Sequence, residues 1–580
     1  MILQALVRHY EDLTAQNMIA PPGWNPVKVS CALELDEQGR LLRASSIQET
    51  VVKGKKTVLA PRLMELPAPV KRTVGIAANF LCDNAAYILG FDGKGNPERA
   101  RECFAACKAL HEQLLSGVNT PLARALLAFF HSWDPEQAAD HPAMRDESSG
   151  ILAGANLVFR FRGAFVHEDP AIRQAWQAHY DADSSGPAAV CLVTGREAPA
   201  EAVHPSVKGV QGAQSSGAAL VSFNAPAFCS YGKEQNFNAP TSKYAAFAYT
   251  SALNHLLAGR DHLYRLGDTT VVCWAEGGEP AFQDAFGAFT FGAQCGYTER
   301  ELRDMVGQLL RGNPVLFDEA LLDPDRPFYI LGLSPNAARL SVRFFLRNSF
   351  GGFLEHVQRH YERLEIVKPA FDKFDALPLW KLLGETVNQN SKDKAASPNM
   401  AGAVLRSVLM DEPYPATLLH GALLRIRAER EITRGRAAIL KAYYLKRPHP
   451  DIPKEVLTVS LNPDSTNIPY TLGRLFSVLE AVQSAANPGV NATIKDRYFN
   501  AASATPGHIF PILLNLSHKH LRKLEGGLRI YYEKQIAELT GVLSEAFPPR
   551  LNLPQQGAFQ LGYYHQTQKR YEKKEEAKHV

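Results

Sequence analysis

The chain has 580 residues, of which 46% are hydrophobic and 21% are charged. These proportions are close to globular averages and exclude a mainly disordered protein, and about 100–200 residues per domain predicts several compact units. No apolar run is long enough to span a membrane, and the eight cysteines form no C-x2-C pair. We therefore expect a reduced cytoplasmic protein that has no structural zinc site and no contact with a membrane.

The charge is unevenly distributed along the chain. Residues 1–365 carry 34 Lys and Arg against 39 Asp and Glu, whereas residues 366–580 carry 29 against 20. The first region is therefore mildly acidic, and the second has a net charge of +9. A basic C-terminal third favours a polyanionic partner, and the alternative is an ordinary solvated helix surface.

Residues 1–365 are predicted to form a mixed α/β region. Stretches with helical apolar spacing alternate with short apolar runs, and Pro, Gly, Ser and Asn cluster between them as expected for turns. The predicted helices are 3–16, 97–115, 171–179 and 242–258, and the predicted strands are 28–34, 157–162, 188–194 and 270–274.

The clearest strand is predicted at 339–347, where every second residue is apolar. The apolar run 328–333 precedes it and completes a hairpin. With a period of two, one face enters a core and the other presents Arg339, Arg343 and Arg347. Arginines around an aromatic residue suit phosphates and stacked bases, and a solvated sheet face is the alternative.

Residues 366–580 are predicted to form a helical bundle with short connections, several of them marked by prolines. The predicted fold class is therefore α+β, with a large mixed α/β N-terminal region followed by a C-terminal α-helical bundle. The predicted helices of the bundle are 377–390, 398–410, 416–446, 470–486, 506–524, 526–547 and 555–574.

Basic residues concentrate on two of these helices, and residues 425–447 alone have a net charge of +6. Cations that meet phosphates release counterions, so such helices predict salt-dependent binding without sequence preference. The residues predicted to contact a nucleic-acid backbone here are Arg425, Arg427, Arg430, Arg434, Arg436, Lys519, Arg522 and Lys523.

A Gly- and Ser-rich stretch at 208–224 contains Gly212 and Gly217 at the spacing of a phosphate loop. Alanines stand where that motif needs Lys and Ser or Thr, which argues against a nucleotide triphosphatase. A serine hydrolase with Ser215 or Ser216 as nucleophile and Lys208 as base is an alternative. No cofactor is predicted. A possible metal site would use four residues that are close in sequence, and the alternative is that they are ordinary loop residues: His131, Asp134, Asp140 and His141.

Polar loop residues can also read DNA. Residues 230–244 interleave amide and lysine side chains with aromatic ones, which suits the acceptors of the minor groove. The alternative is a turn that caps the following helix with Thr241 or Ser242. The predicted motif-reading residues are Gln214, Ser215, Ser216, Lys233, Gln235, Asn236, Asn238 and Lys243, with Asn79 and Asn84, for which helix capping is the favoured alternative.

Several long segments together resemble one known family. Residues 209–244, beginning with the motif GVQGAQSSGAALVSFN, are similar to the Csd family, the large subunits of the CRISPR type I-C Cascade surveillance complex. Residues 79–90, 470–480, 496–503 and 559–566 agree with the same family in the same order. The resemblance extends from the first residues to about His565.

The resemblance implies a non-catalytic subunit that joins backbone subunits carrying the guide RNA. It implies recognition of the protospacer-adjacent motif in double-stranded DNA, assistance in duplex opening and R-loop formation, and holding of the displaced strand. It also implies recruitment of a helicase–nuclease, and a separate small subunit translated from the same gene. Base pairing would carry the sequence information, so the protein itself would read only a short motif. The main alternative is a scaffold that binds guide RNA and neighbouring subunits.

Overall fold

The computed structural model describes residues 1–53, 56–70, 72, 75–91, 96–138, 140–144, 154–182, 186–259, 263–392, 396–543 and 546–571. These residues form two compact units. The first unit comprises Met1–Pro205 and Val221–His255, and the second comprises Ser206–Leu220 and the chain from Leu256 onwards.

In the first unit a four-stranded sheet packs against helices. Its strands lie in the order β3 (Leu41–Ser46), β2 (Cys31–Leu35), β7 (Leu157–Phe161) and β8 (Ala164–Phe165). The pair β2–β7 is parallel, and its inward side chains share a core with α3 and α4. The elements are α1 (Ile2–Ala15), β1 (Trp24–Val29), β2 (Cys31–Leu35), β3 (Leu41–Ser46), β4 (Glu49–Lys53), β5 (Lys56–Ala60), β6 (Arg62–Pro67), α2 (Ala85–Ile88), α3 (Pro97–Leu115), α4 (Pro121–Ser132), β7 (Leu157–Phe161), β8 (Ala164–Phe165), α5 (Pro170–Ala182), β9 (Ala188–Val190), β10 (Glu197–Pro199) and α6 (Lys243–Ala258), whose last turn belongs to the second unit.

The second unit combines an antiparallel sheet, in the order β11-β12-β15-β16, with the helical region. Its elements are β11 (Tyr264–Leu266), β12 (Thr269–Ala275), α7 (Ala281–Phe291), α8 (Glu299–Leu310), β13 (Val315–Phe317), β14 (Ala320–Leu322), β15 (Pro327–Asn336), β16 (Arg339–Ser349), α9 (Phe350–Leu364), α10 (Leu379–Gly384), α11 (Pro398–Leu409), α12 (Ala416–Glu429), α13 (Arg434–Lys446), α14 (Ile468–Ala486), α15 (Ile494–Ala504), α16 (Pro506–Leu521), α17 (Gly526–Val542) and α18 (Leu553–Tyr571).

The α+β class is confirmed, with a mixed N-terminal region and a helical C-terminal part. The division predicted after residue 365 marks a change of secondary structure but not of packing. One continuous apolar core runs from Leu266, at the end of β11, to Tyr564 in α18. The sheet β11-β12-β15-β16 and the helices after it are therefore one unit, because they bury their apolar faces against each other.

The predicted helix 416–446 is wrong in one respect, because the chain forms two helices there. Arg430 has a left-handed backbone, with φ of 56°, and ends α12. The side chain of Thr433 then accepts a hydrogen bond from the backbone N–H of Arg436, which caps the start of α13. Because of this break, the basic residues of α12 and α13 do not lie on one continuous helix face, as a single helix would place them.

Two glycines allow α14 and α18 to pack backbone against backbone. A methyl group on Gly473 would lie 1.9 Å from the carbonyl oxygen of Phe559, and one on Gly562 would lie 2.1 Å from that of Tyr470. Hydrogen bonds flank this contact, including one of 2.9 Å between the Tyr470 hydroxyl and His565 Nδ1. The helix pair therefore has no room for any larger residue at either glycine.

Gly473→Ala and Gly562→Ala are expected to lower the free energy of unfolding by at least about 1–3 kcal/mol each, because the helices must separate to admit a methyl group. Gly541→Ala is the matched control, since that glycine lies in α17 with open space around it. The control should leave stability unchanged or raise it by up to about 1 kcal/mol. Equal stability of all three variants in denaturant titrations would contradict this packing.

None of the helices in the described ranges is both long enough and apolar enough to cross a membrane.

Candidate nucleic-acid interface

The Gly- and Ser-rich loop belongs to the second unit, where it covers one edge of the sheet. The backbone N–H of Ala219 donates to Ala338 O (3.0 Å), and the N–H of Leu340 donates to Ala219 O (2.9 Å). This pairing runs parallel to β16 at its first residue, Arg339. A second contact, from the backbone N–H of Gln211 to the Thr270 hydroxyl of β12 (3.1 Å), also holds the loop on the sheet.

The loop itself is closed at its base and exposed at its tip. Val207 and Ala218 exchange two backbone hydrogen bonds, of 2.9 and 2.8 Å, and both residues are buried. Gly217 has φ of 102°, and a Cβ there would lie 2.7 Å from the Cβ of Ser206, so only glycine fits. The exposed tip presents three polar side chains that the sequence singles out: Gln214, Ser215 and Ser216.

The loop is not a nucleotide-phosphate loop. A phosphate loop leads into a helix whose N-terminus faces the phosphates, whereas the two residues after Gly217 form isolated β-bridges, Ala218 to Val207 and Ala219 to Arg339.

The prediction that three arginines share one face of β16 is wrong. Gly332 pairs with Phe344 but Leu333 pairs with Val342, so Arg343 is an extra, bulged residue. Beyond the bulge the alternation is reversed, which explains why Val342, predicted to enter the core, is 40% exposed. The register therefore places Arg339, opposite Asn336, on the other face of the sheet from Arg347.

Each of these arginines has a different environment. Arg343 forms an ion pair of 2.8 Å with Asp268, and Arg347 lies 5.7 Å from the ring centre of Tyr329. Tyr329 stacks on Trp274, but both rings are buried and have no free face for a base. Arg339 lies where the loop Ser206–Leu220 joins the sheet, and it is half-buried.

In the first unit, the side-chain amide of Asn238 organises a compact turn at 230–238. Its oxygen accepts from the backbone N–H of Ser230 at 2.8 Å, and its nitrogen donates to the carbonyls of Lys233 (3.0 Å) and Gln235 (2.9 Å). Tyr231 at the tip is 99% exposed. Asn238 therefore shapes the turn, and the side chains of Lys233 and Gln235 are left in solvent.

Two further residues of this segment are held inside the first unit. Asn236 is buried, and its backbone N–H donates to Ala202 O at 3.2 Å. The Lys243 ammonium donates to the carbonyl of Tyr180 at 2.6 Å and lies over that residue's ring. The predicted cap is confirmed for Ser242, whose hydroxyl accepts from the N–H of Ala245 at 3.3 Å.

Asn79 and Asn84 surround a buried carboxylate. Asp83 accepts from the backbone N–H groups of Asn79 (3.0 Å) and Asn84 (2.9 Å), and it forms an ion pair with Arg72. The Asn84 side chain caps α2 by accepting from Ala86 N, so the capping alternative is confirmed for this residue. The Asn79 side chain accepts from the N–H of Val70 at 2.9 Å.

The most basic helix of the sequence, α13, buries its cations. Arg434 is only 8% exposed, and it donates to Asp372 (3.0 Å) and to the carbonyls of Phe374 and Asp375 (2.6 Å each). Burial favours the neutral form of Asp372, but hydrogen bonds from the Phe374 N–H, Arg434 and Lys381 hold the pKa of this carboxyl below its usual value. The predicted phosphate contact of Arg434 is therefore corrected to an internal ion pair.

The same correction applies to Arg436, and Lys441 of the same helix is buried as well. Arg436 is buried between Glu429 and Glu385, with ion pairs to both. Lys441 donates to the backbone carbonyls of Arg363 (3.0 Å) and Glu365 (2.7 Å), and burial lowers its pKa to about 8. The core accommodates these cations because the bundle supplies hydrogen-bond partners for each of them, and removal of a partner would leave a buried charge uncompensated.

The remaining arginines of this region lie nearer the surface. Arg425 pairs with Glu429 at 3.6 Å, Arg427 donates to the Gln556 side chain at 2.9 Å, and Arg430 is exposed at the end of α12. A second exposed group, the α16-end cluster, comprises Lys519, Arg522 and Lys523. Cations at a helix C-terminus also interact favourably with the helix dipole, so part of this cluster's role is local.

The metal alternative gains no support from the local geometry. His131 Nδ1 donates to the backbone carbonyl of Leu127 (2.7 Å), and the ring lies 3.2 Å from Glu112. Asp134 caps a short 3-10 turn. In the described ranges no three His, Cys, Asp or Glu side chains come together as a metal site would need.

Comparison with protein families identifies the chain. Residues 6–571 match the family described as CRISPR-associated protein (Cas_Csd1). The chain belongs to the Cas_Csd1 family. Comparison with curated proteins gives no match. Membership of a CRISPR-associated family supports a role as a subunit of a Cascade-type complex.

The family resemblance of this Cas_Csd1 chain draws partly on packing residues that sequence reasoning did not identify as such. The segments 470–480 and 559–566 contain Gly473 and Gly562, which meet across the α14–α18 contact. Each glycine lies among bulky apolar residues on one face of a predicted helix. That pattern is the sequence signal for a close helix–helix contact. The ion pair of Arg72 with Asp83 was also missed, because the sequence does not show that Asp83 is buried.

Substitution of a buried cation and of an exposed cation of the Cas_Csd1 chain should affect the free energy of unfolding differently. Arg434→Ala is expected to lower the free energy of unfolding by about 1–3 kcal/mol, because Asp372 keeps only one of its two cationic partners and the carbonyls of Phe374 and Asp375 lose their donor. Arg522→Ala should change it by less than about 0.5 kcal/mol. Urea titration of the two variants checks this, and equal effects would contradict the assignment of Arg434 to the core.

Proposed function

We propose that this protein is the large subunit of a type I-C CRISPR surveillance complex and that it recognises the protospacer-adjacent motif in double-stranded DNA. After recognition, the protein assists duplex opening and R-loop formation and holds the displaced strand. The bound complex then recruits a helicase–nuclease. The protein acts by binding, without catalysing a reaction itself. Family membership supports the Cascade setting, and the local geometry supports the DNA contacts.

The observation that carries this proposal is the exposed polar tip of the loop Ser206–Leu220. The amide of Gln214 and the hydroxyls of Ser215 and Ser216 are exposed, while the base of the loop is fixed to the sheet by backbone hydrogen bonds. Amides and hydroxyls donate to the acceptors that base edges present in the grooves. A rigid base gives such contacts the fixed geometry that discrimination between base pairs requires.

The turn at 230–238, in the first unit, is proposed as a separate contact with DNA. Lys233 and Gln235 are exposed, and Asn238 holds the turn in one conformation. In this proposal the phosphates are contacted by two groups of exposed cations in the second unit, the α16-end cluster and Arg430. The buried cations Arg434 and Arg436 are not part of this proposal.

The proposed partners follow from the same role. They are backbone subunits loaded with guide RNA, the target double-stranded DNA, the helicase–nuclease, and a separate small subunit produced from the same gene. Opening of a duplex against guide RNA is nearly balanced in free energy, so protein–backbone contacts can favour it without a triphosphatase. A scaffold that binds mainly guide RNA and neighbouring subunits is the competing function.

The test substitutes the loop tip in the assembled complex. The triple variant Gln214→Ala, Ser215→Ala, Ser216→Ala should reduce the preference for motif-bearing over motif-free duplex by about 10-fold or more, because each lost base contact costs about 1–3 kcal/mol. Gln294→Ala, which removes an exposed amide just after α7 in the same unit, is the control and should leave the preference intact. Filter binding to a panel of duplexes measures both.

The α16-end cluster predicts a different result. Lys519→Ala, Arg522→Ala and Lys523→Ala together should weaken binding equally for all motifs and reduce the salt slope by up to about 3, because counterion release is lost at each phosphate. An unchanged motif preference in the loop-tip variant, with normal assembly, would contradict the proposal and favour the scaffold. Hydrolytic activity that disappears in Ser216→Ala would favour the serine hydrolase.

A further inference from the structure

A short β-hairpin in the second unit presents two leucines to solvent. Its strands, β13 and β14, form a two-stranded antiparallel sheet in which Leu316 pairs with Leu321. These leucines are 60% and 59% exposed. Directly opposite residues share one face of a hairpin, with Cβ atoms about 4.5–5.5 Å apart. The two side chains therefore form one apolar patch, whereas exposed apolar residues that need no partner are scattered singly.

The opposite face of the hairpin is fixed to the core of the second unit. Phe317 and Leu322 are buried in that core, and the ring centres of Phe317 and Tyr297 are 5.0 Å apart. The Tyr297 hydroxyl accepts from the backbone N–H of Asp318 at 2.7 Å and donates to the Asp318 carboxylate at 3.2 Å. The turn is thus held in place, and the leucine patch has a fixed position on the unit.

The charge around the leucine patch is negative. Residues 312–325 contain no lysine or arginine, and they contain four carboxylates: Asp318, Glu319, Asp323 and Asp325. Within the part of the chain that the structure describes, no ion pair neutralises any of the four. Glu319, in the turn, and Asp325, after β14, are exposed. Helix α8, which packs on β13, carries three carboxylates and two arginines and so does not reverse the sign.

The combination of negative charge and apolar surface indicates the class of partner. Carboxylates repel phosphates, so neither DNA nor RNA suits this face. A protein surface with an apolar socket and a rim of lysine or arginine complements it, because apolar burial supplies affinity and opposite charges supply orientation. The backbone subunits of the proposed complex bind guide RNA, and a surface that binds RNA carries an excess of lysine and arginine.

We propose that the hairpin β13–β14 docks on a backbone subunit of the guide-loaded complex. Leu316 and Leu321 enter an apolar socket of that subunit, and Glu319 and Asp325 pair with cations at the rim of the socket. The inference rests on the proposed function, which supplies the backbone subunits as partners, and it deepens that function by assigning the surface that binds them.

Binding to a guide-loaded backbone subassembly, prepared without this subunit, tests the leucine patch. Leu316→Ser with Leu321→Ser should weaken binding about 10-fold or more, because two apolar side chains no longer leave water. The matched control is Leu42→Ser with Leu63→Ser, since these leucines are 58% and 61% exposed on strands of the first unit. The control should bind as the wild type does. Unchanged binding of the hairpin variant, or an equal loss in the control, would overturn the inference.

The salt dependence of the association rate tests the carboxylates. Glu319→Gln with Asp325→Asn keeps the size of both side chains and should slow association with the subassembly about 3- to 10-fold at about 0.1 M salt. The difference from the wild type should disappear at about 1 M salt, because the charges are then screened. An association rate equal to that of the wild type at both salt concentrations would contradict the charged rim.

Crosslinking identifies the partner and separates this inference from the proposed function. A photoreactive amino acid in place of Glu319 should crosslink to a backbone subunit in the assembled complex. Crosslinks to guide RNA, to a second copy of this chain or to the helicase–nuclease would overturn the docking surface and leave the proposed function in place. A wild-type complex that assembles through the hairpin but does not prefer motif-bearing DNA would overturn the proposed function and leave the docking surface in place.

Discussion

Two backbone hydrogen bonds between Ala219 and the edge of the sheet, to Ala338 and from Leu340, fix the base of the loop Ser206–Leu220 on the second unit. They take a segment that lies between two parts of the first unit and make it part of the second. The bridge between Val207 and Ala218 closes the base of the loop, and the pairing of Ala219 attaches that base to the sheet. The polar side chains at the tip take no part in either contact. The tip can therefore vary its side chains for recognition without loss of the fold.

The cations of the second unit are either buried with a partner or exposed to solvent, because burying an unpaired charge costs free energy. A guanidinium can enter the core only with an acidic or carbonyl partner, and α13 shows this with Arg434 and Arg436. Net charge along the sequence counts these residues together with exposed ones, so it overstates the surface available to a polyanion. Only exposed cations, such as those at the end of α16 and at Arg430, can release counterions on meeting a phosphate.

The sequence predicts the elements well where a local signal controls them. Helix α3 has the predicted bounds, because Pro97 follows the capping residue Asn96, and most bundle helices agree within a few residues. The sequence fails where a single residue changes the geometry. The bulge at Arg343 reverses the faces of β16, and the left-handed Arg430 divides one predicted helix into two. Neither position carries a residue type that marks such a feature.

The candidate site was predictable in part for the same reason. The glycines at 212 and 217 mark the loop, but its place on the sheet edge depends on long-range pairing that no local pattern reveals. Asn238 and Lys243 have the chemistry of DNA-reading residues, yet their side chains bond to their own unit. Residue type alone cannot distinguish an amide that organises a turn from one that contacts a base.

The most direct test of the account is a structure of the guide-loaded complex bound to target DNA. The account predicts that the side chains of Gln214, Ser215 and Ser216 lie within hydrogen-bond distance, about 3 Å, of base edges in the motif duplex. A loop tip that faces solvent or another protein subunit while the motif is bound elsewhere would contradict it.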